Sequence, residues 1–329
     1  MINIAVDIWG GDFAPEEIIE GVKLSLKEHT DIFFYLVGPL ELLEKYFKDE
    51  KRAQIIPTDC YFSMGEHDVL KKMRDEPNSS MVLACKLLKE KKVDGLVTAG
   101  PTQALVVTGL FVAGRIPGIK RLAIMPETPA IGGKRRYLLD SGANLEISAR
   151  DMYNHAVLAS EYLRLGKGIE NPKVALLNVG VEKGKGRVLD NEVYDLLTND
   201  PKINFIGNVE PKEMFTSDAD IFLTDGFSGN FTMKAMEGVA KAIGKELKQV
   251  FKGFGGALAY LLVRRKLKKF KKKFDSNNIG GAILLGTDGV IIKSHGSSKR
   301  RTIAIAIDNC YTVVKNGFIK KIGERIHGN

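Results

Sequence analysis

Two lysines in a glycine-rich turn are the clearest chemical signal in the chain. Lys183 and Lys185 lie between Gly180 and Gly186, directly behind the apolar run Val174-Ala175-Leu176-Leu177-Asn178. Pliant backbone carrying ammonium groups suits a small anion such as phosphate. A second turn, Thr224-Asp225-Gly226-Phe227-Ser228-Gly229-Asn230, leads into a helical pattern whose first N–H groups can hold the same kind of ligand. His295, in Ser294-His295-Gly296-Ser297-Ser298, reads either as an acid/base or as a histidine hydrogen-bonded into the wall of a crevice. Asp12 and Asp225 read equally as site carboxylates or as turn and cap residues, and Ser79 and Ser80 as polar site groups or as the N-cap of a helix.

Other chemistries are excluded by spacing. Gly180 and Gly184 are separated by three residues, not the four of a phosphate loop, and Gly186 stands where that loop needs Ser or Thr. No G-x-G-x-x-G follows the first strand, so neither ATP nor NAD is expected. Neither a G-x-S-x-G elbow nor a Ser-His-Asp order is present, which argues against a serine nucleophile. The 5 histidines and 3 cysteines have no metal-ligand spacing, and neither a metal nor a cofactor is expected.

These residues need a scaffold that gathers distant turns. Six turns rich in Gly, Asp, Asn and Ser each sit behind an apolar run, at residues 7–12, 98–102, 140–144, 178–180, 224–230 and 294–298. In an open α/β sheet, ligands bind outside the carboxyl ends of the strands, where such turns converge. Strands are expected at 2–7, 32–37, 53–57, 93–98, 121–125, 136–140, 173–178, 203–206, 220–224 and 289–293. Their apolar content is continuous, as in strands covered on both faces. Helices are expected from Pro15, over 148–165, from Asn230 to 250, and over 299–326. The alternation predicts an α/β fold with a doubly wound, mostly parallel sheet and helices on both faces. The whole chain, 1–329, is read as a single α/β domain.

Composition bounds the setting. The chain is 44% hydrophobic, and no apolar run approaches the roughly 20 residues of a membrane span. It starts directly on a strand-like run, so a cytoplasmic protein is expected. The net charge is +9, yet residues 264–273 alone carry eight cations and no acid, which leaves the rest close to neutral and argues against nucleic-acid binding. Segment 254–274 reads as an amphipathic helical insertion. Ala259, Val263, Leu267, Phe270 and Phe274 fall on one helical face with cations around them, a pattern for peripheral contact with an anionic membrane surface. Docking of an acidic carrier protein and a solvated charge run are the other readings of the same segment.

Taken in order, these segments resemble the acyl-(acyl-carrier-protein):phosphate acyltransferases of bacterial phospholipid synthesis, the PlsX family. The resemblance rests on Ile4-Ala5-Val6-Asp7 with Gly10-Gly11-Asp12 and Ala14-Pro15, on Ser79-Ser80, and on Thr98-Ala99-Gly100 with Thr102 and Ala104. It continues through Leu139-Asp140 with Gly142-Ala143-Asn144, Leu176 to Gly180, Lys185-Gly186, and Asn204 to Glu210. It ends with Asp225-Gly226-Phe227, Gly229-Asn230, Glu237-Gly238, Gly280-Gly281-Ala282 and Ile292-Lys293 to His295-Gly296-Ser297-Ser298. Phe13, Pro101 and Gln103 stand where the family usually has His, Asn and Gly, which leaves the ligand contacts of that turn open.

The resemblance implies a fold similar to phosphate acetyl- and butyryltransferases, a homodimer, and transfer of a fatty acyl group from acyl carrier protein to inorganic phosphate. The product would feed a downstream glycerol-3-phosphate acyltransferase. It implies Lys185 and Asn230 as catalytic residues. Asp12, Gly100, Thr102, Asn178, Asp225, Gly229, His295 and Ser297 would line the substrate and phosphate site, and Val263, Leu267 and Phe270 would touch the membrane. A CoA thioester as donor, or a non-enzymatic binder of anionic membranes on the same fold, are the alternatives.

Overall fold

The computed structural model describes residues 1–129, 134–274 and 280–327, with the backbone alone for 269–274 and 326–327. Its strands are apolar and β-branched, as buried parallel strands must be, but they are shared between two sheets instead of one. The first sheet contains β1 (Ile2–Asp7), β2 (Ile32–Gly38), β3 (Ala53–Pro57), β4 (Gly95–Thr98), β5 (Ala123–Met125), β11 (Ala282–Leu285) and β12 (Val290–Lys293), in the order β3-β2-β1-β4-β12-β11-β5. The second contains β6 (Glu127–Pro129), β7 (Arg135–Leu139), β8 (Lys173–Leu177), β9 (Asn204–Val209) and β10 (Ile221–Leu223), in the order β6-β7-β10-β8-β9. All pairings are parallel except β11 with β12 and β5, and β6 with β7.

The α/β class with helices on both faces agrees with the sequence. On one face of the first sheet α1 (Glu16–Glu28) packs with α10 (Arg300–Lys315). Leu43 and Phe47 of α2 (Leu40–Phe47) join that same apolar layer, and on the other face lie α4 (Ser80–Lys89) and α5 (Thr102–Thr108), with α3 (Val69–Asp75) against α5. The second sheet carries α7 (Val188–Thr198). Between the sheets runs α6 (Ala149–Lys167), which also touches α10 and α11 (Phe318–His327). Helix α6 is buried nearly all round, so Met152, Ala156, Leu158 and Leu163 join one apolar cluster with Ile4 and Val6 of one sheet and Leu139 and Leu176 of the other. That cluster sets the positions of both sheets' carboxyl ends.

Two strands were not expected. Strand β6 has three residues and ends on Pro129, which an edge position tolerates, and β11 is a short antiparallel strand between Gly281 and Gly286. The helix expected from Asn230 starts a turn earlier, as α8 (Gly226–Val250). The Asp225 carboxylate accepts the Ser228 N–H and caps it, which leaves Asn230 inside the second turn. The long last helix is two, broken where Gly317 takes φ +70°. Segment 254–274 is helical as expected, forming α9 (Gly253–Phe274).

Candidate active site

Two groups of turns, one on each sheet, hold the sequence-predicted residues. On the first sheet, Asp7 ends β1 and Thr98 ends β4. The Thr98 hydroxyl donates to Asp7 Oδ2 at 2.7 Å and accepts the Gly100 N–H at 2.9 Å. Burial pushes the Asp7 carboxyl up, against the lowering effect of the Ser80 and Thr98 hydroxyls and the Trp9 and Gly10 N–H groups. A side chain at Gly10 would sit 2.8 Å from Gly100 N, so only glycine lets the β1 and β4 turns close on each other. The β1 turn is also tied to the turn after β12, because Asp12 N donates to Gly296 O at 2.8 Å.

Asp12, Gly100, Thr102, His295 and Ser297 are therefore neighbours at one mouth. Asp12, Thr102 and His295 are exposed there, and Gly100 is buried against Met81. His295 Nδ1 lies 2.9 Å from Ser297 Oγ, within its own turn. Pro101 takes the N-cap position of α5 and offers no side-chain cap. Ser79 is the N-cap of α4, again without a side-chain bond.

On the second sheet, Asn178 and Asn208 hold the lysine turn. Asn178 Nδ2 donates to Lys185 O at 3.1 Å and to Asn208 Oδ1 at 3.2 Å, while Asn208 Nδ2 donates to Glu182 O at 2.9 Å. Asn178 thus shapes the loop through its backbone. Lys183 is engaged at the surface, with Asp195 at 3.1 Å and the Tyr194 ring beneath it. Lys185 is exposed and makes no ion pair among the described residues. Asp225 is buried and does more than cap α8, since Arg187 Nη2 donates to it at 2.5 Å and also pairs with Asp190. Burial raises the Asp225 carboxyl, but the Ser228 N–H and hydroxyl and the Arg187 guanidinium together bring it below its ordinary value.

Asn230 and Gly229 sit against the turn after β7. Gly229 has no room for a side chain, because a Cβ there would overlap the Asp140 carbonyl oxygen. The Asn230 amide lies against Gly142, which takes φ +131°. Asp140 is fully buried, and its carboxylate accepts from the N–H groups of Ile124, Gly142, Ala143 and Asn144 and from Asn144 Nδ2.

Asp140 also relates the two mouths. Ile124 belongs to β5, and the register sets Met125 of β5 level with Ile283 of β11 and Ile292 of β12. Two strand spacings, about 10 Å, therefore separate the end of β12 from the edge on which the Asp140 turn and Asn230 rest. The lysine loop, the Asn230 amide and the start of α8 thus belong to one mouth, and the Asp12 carboxylate, the His295 imidazole and the glycine turns of β1, β4 and β12 to the other.

Sequence reasoning passed over Asp140, Arg187 and Lys293 as site residues. Lys293 closes β12 beside the His295 turn. Burial pulls its ammonium down to about 8, against the opposing effect of Asp12. All three stand at strand ends or next to the glycines that marked the turns, which was the available signal. A recess of about 500 Å³ lined by Arg135, Arg136, Lys167 and Asn309 lies at the opposite, amino-terminal end of β7, away from these turns. Among the described residues no group of three or more His, Cys, Asp or Glu could hold a metal ion, and no helix is long and apolar enough to cross a membrane.

The profile of a family described as "Fatty acid synthesis protein" matches residues 2–321. A phosphate acyltransferase of Acholeplasma laidlawii is 40% identical over 331 residues, covering 100% of this chain and 99% of its own. One from Streptococcus uberis is 40% identical, covering 98% and 97%. Among solved structures, a phosphotransacetylase from Streptococcus pyogenes superposes with a TM-score of 0.61 at 18% identity, covering 95% of this chain and 94% of its own, a likeness of fold. Matched along its length by that profile and those relatives, the chain belongs to the PlsX family of phosphate acyltransferases and is an acyltransferase.

Proposed function

We propose that the protein transfers a fatty acyl group from the thioester of acyl carrier protein to inorganic phosphate, releasing acyl phosphate for phospholipid synthesis, with both sheets acting as one catalytic unit. The observation that carries this reading is Lys185, an exposed cation without an ion pair among the described residues, on a loop pinned by Asn178 and Asn208. Phosphate is already an anionic nucleophile near neutral pH, so the reaction needs placement and charge stabilisation more than activation. Lys185 attracts phosphate and offsets charge in the transition state. Asn230 donates to the thioester oxygen or to phosphate, beside the first turn of α8. Asp12, Gly100, Thr102, His295 and Ser297 shape the opposite wall, and Asp225 with Gly229 holds the helix end in place.

The deciding experiment presents purified protein with phosphate and either long-chain acyl carrier protein or the matching CoA thioester at equal concentration, and measures acyl phosphate. Preference for the carrier protein supports the reading, and equal or better use of CoA reassigns the donor. Because Asp225 and not Asn230 caps α8, Asn230→Ala is expected to lower turnover about 10²-fold without the ~1 kcal/mol loss that removing a cap brings. A thermal melt beside the assay separates the two, and an unchanged rate would remove Asn230 from the site.

The product carries a long chain and a charged head, and delivery at a bilayer surface to a glycerol-3-phosphate acyltransferase suits it. Support for membrane contact comes from α8 and α9, where Val239, Ile243, Val250, Phe254, Leu258, Leu262 and Val263 are exposed beside the exposed cations Arg264, Arg265, Lys266 and Lys268. Leu267 is half-buried, and the Phe270 side chain lies outside the described residues. Replacing Val263 and Leu267 with Glu is expected to release the protein from anionic vesicles while sparing activity on soluble donor. Vesicle flotation at low and high salt reads this out, since such binding weakens as salt screens it. Unchanged flotation of the double variant would rule out this face. A homodimer completes the proposal, with the oligomeric state read by light scattering.

A further inference from the structure

We propose that Lys293 is a catalytic residue that carries the proton shed by the attacking phosphate to the departing sulfur. The inference rests on the acyl-transfer reading above. Lys293 is the last residue of β12, in register with Thr98 at the end of β4, and so faces the mouth formed by the β1, β4 and β12 turns. Its Nζ donates to Ser294 O at 2.9 Å, and among the described residues it makes no ion pair. A half-buried ammonium without a carboxylate in contact is held at a desolvation cost that no ion pair offsets. The charged group that acts on it is Asp12 of the β1 turn, and His295 stands two residues on in its own turn. Thr98 of β4 and Ala282 of β11 bring no charge, and α10, which packs on β12, has its Arg300 and Arg301 paired with Glu17 and Glu28.

The chemistry has a place for such a group. Monohydrogen phosphate dianion forms the new C–O bond and the C–S bond breaks, so the sulfur leaves as a thiolate in need of a proton while the phosphate sheds one. The ammonium of Lys293 gives its proton to the thiolate, and the resulting amine takes the proton from the phosphate oxygen. The products are a thiol and an acyl phosphate dianion, with the ammonium restored. Entering oxygen and leaving sulfur are bonded to the same carbon in the tetrahedral intermediate, so one amine reaches both. An amine that titrates near 8 is matched to a thiol, whose own value is about 8.5. His295 fits this task less well, because its ring is exposed and turned onto Ser297.

The test uses two donors with the same acyl chain, an alkyl thioester and an activated aryl thioester whose thiolate leaves without a proton. Lys293→Met is expected to lower kcat on the alkyl thioester about 10²- to 10⁴-fold and on the aryl thioester by less than about tenfold. Lys293→Arg keeps the charge but not the titration, and is expected to lose nearly as much on the alkyl donor. The wild-type rate on the alkyl donor should fall as pH rises through about 8, where the ammonium is lost, and should not on the aryl donor. Equal losses on both donors, or a near wild-type Lys293→Arg, would overturn the proposal. Melting curves accompany each assay, and should Lys293→Met not fold, Lys293→Arg decides alone. If the wild-type protein makes no acyl phosphate from either donor, the acyl-transfer reading itself has failed and the role of Lys293 falls with it.

Discussion

Lys185→Ala is expected to lower turnover 10²-fold or more while the melting temperature stays close to wild type. The effect follows from where the charge sits. The Lys185 side chain is exposed, while the backbone beneath it is held by Asn178 Nδ2 and by its own N–H to Glu182 O, neither of which the substitution removes. Loss of one fixed donor at a developing charge typically costs two to three powers of ten in rate, about 2.7–4 kcal/mol. Lys183→Ala provides the contrast. Lys183 shares the turn, but its charge is spent on Asp195 and Tyr194, so its loss should change turnover less than about threefold, since exposed ion pairs contribute little. Initial rates at saturating phosphate, with melts of both variants, test the pair. A loss below threefold for Lys185→Ala would make that lysine peripheral.

Asp140→Ala is expected to have the largest effect on stability, about 3–5 kcal/mol, read from urea denaturation. The fully buried carboxylate satisfies the N–H groups of Ile124, Gly142, Ala143 and Asn144, and alanine would leave them facing one another. Such a loss is a large share of the 5–15 kcal/mol that separates folded from unfolded domains. Asp140→Asn keeps one acceptor oxygen but turns an NH2 group onto backbone donors, and an intermediate cost is expected. Because Asn230 rests on Gly142 and Ile124 belongs to the other sheet, activity should fall in the folded fraction as well. A cost below about 1 kcal/mol for Asp140→Ala would show that the two mouths are held together by something else.

The α/β class, the strands that begin the main turns and the residues at their tips were legible along the chain. Those features are local: apolar runs such as 173–177, caps such as Ser148, and glycines beside polar residues announce themselves within a few positions. The order of segments along the chain also determined the family. The tertiary structure alone decided the partition of the strands into two sheets, because continuous apolar strands look alike whichever sheet they join. Pairing is settled by long-range register, as when Leu284 finds Ile124, and by the short strand β11 between its glycines. It also set the start of α8 at Gly226 instead of Asn230, with the Asp225 carboxylate on the Ser228 N–H and Gly229 packed on the distant Asp140 carbonyl. The contrast between Lys183 and Lys185 was likewise out of reach of spacing. Two lysines two residues apart differ because one meets Asp195 on α7 and the other meets no carboxylate among the described residues. The distinct character of Lys293 comes from burial at the end of β12, between Thr98 of β4 and Ala282 of β11, and not from its neighbours in the chain.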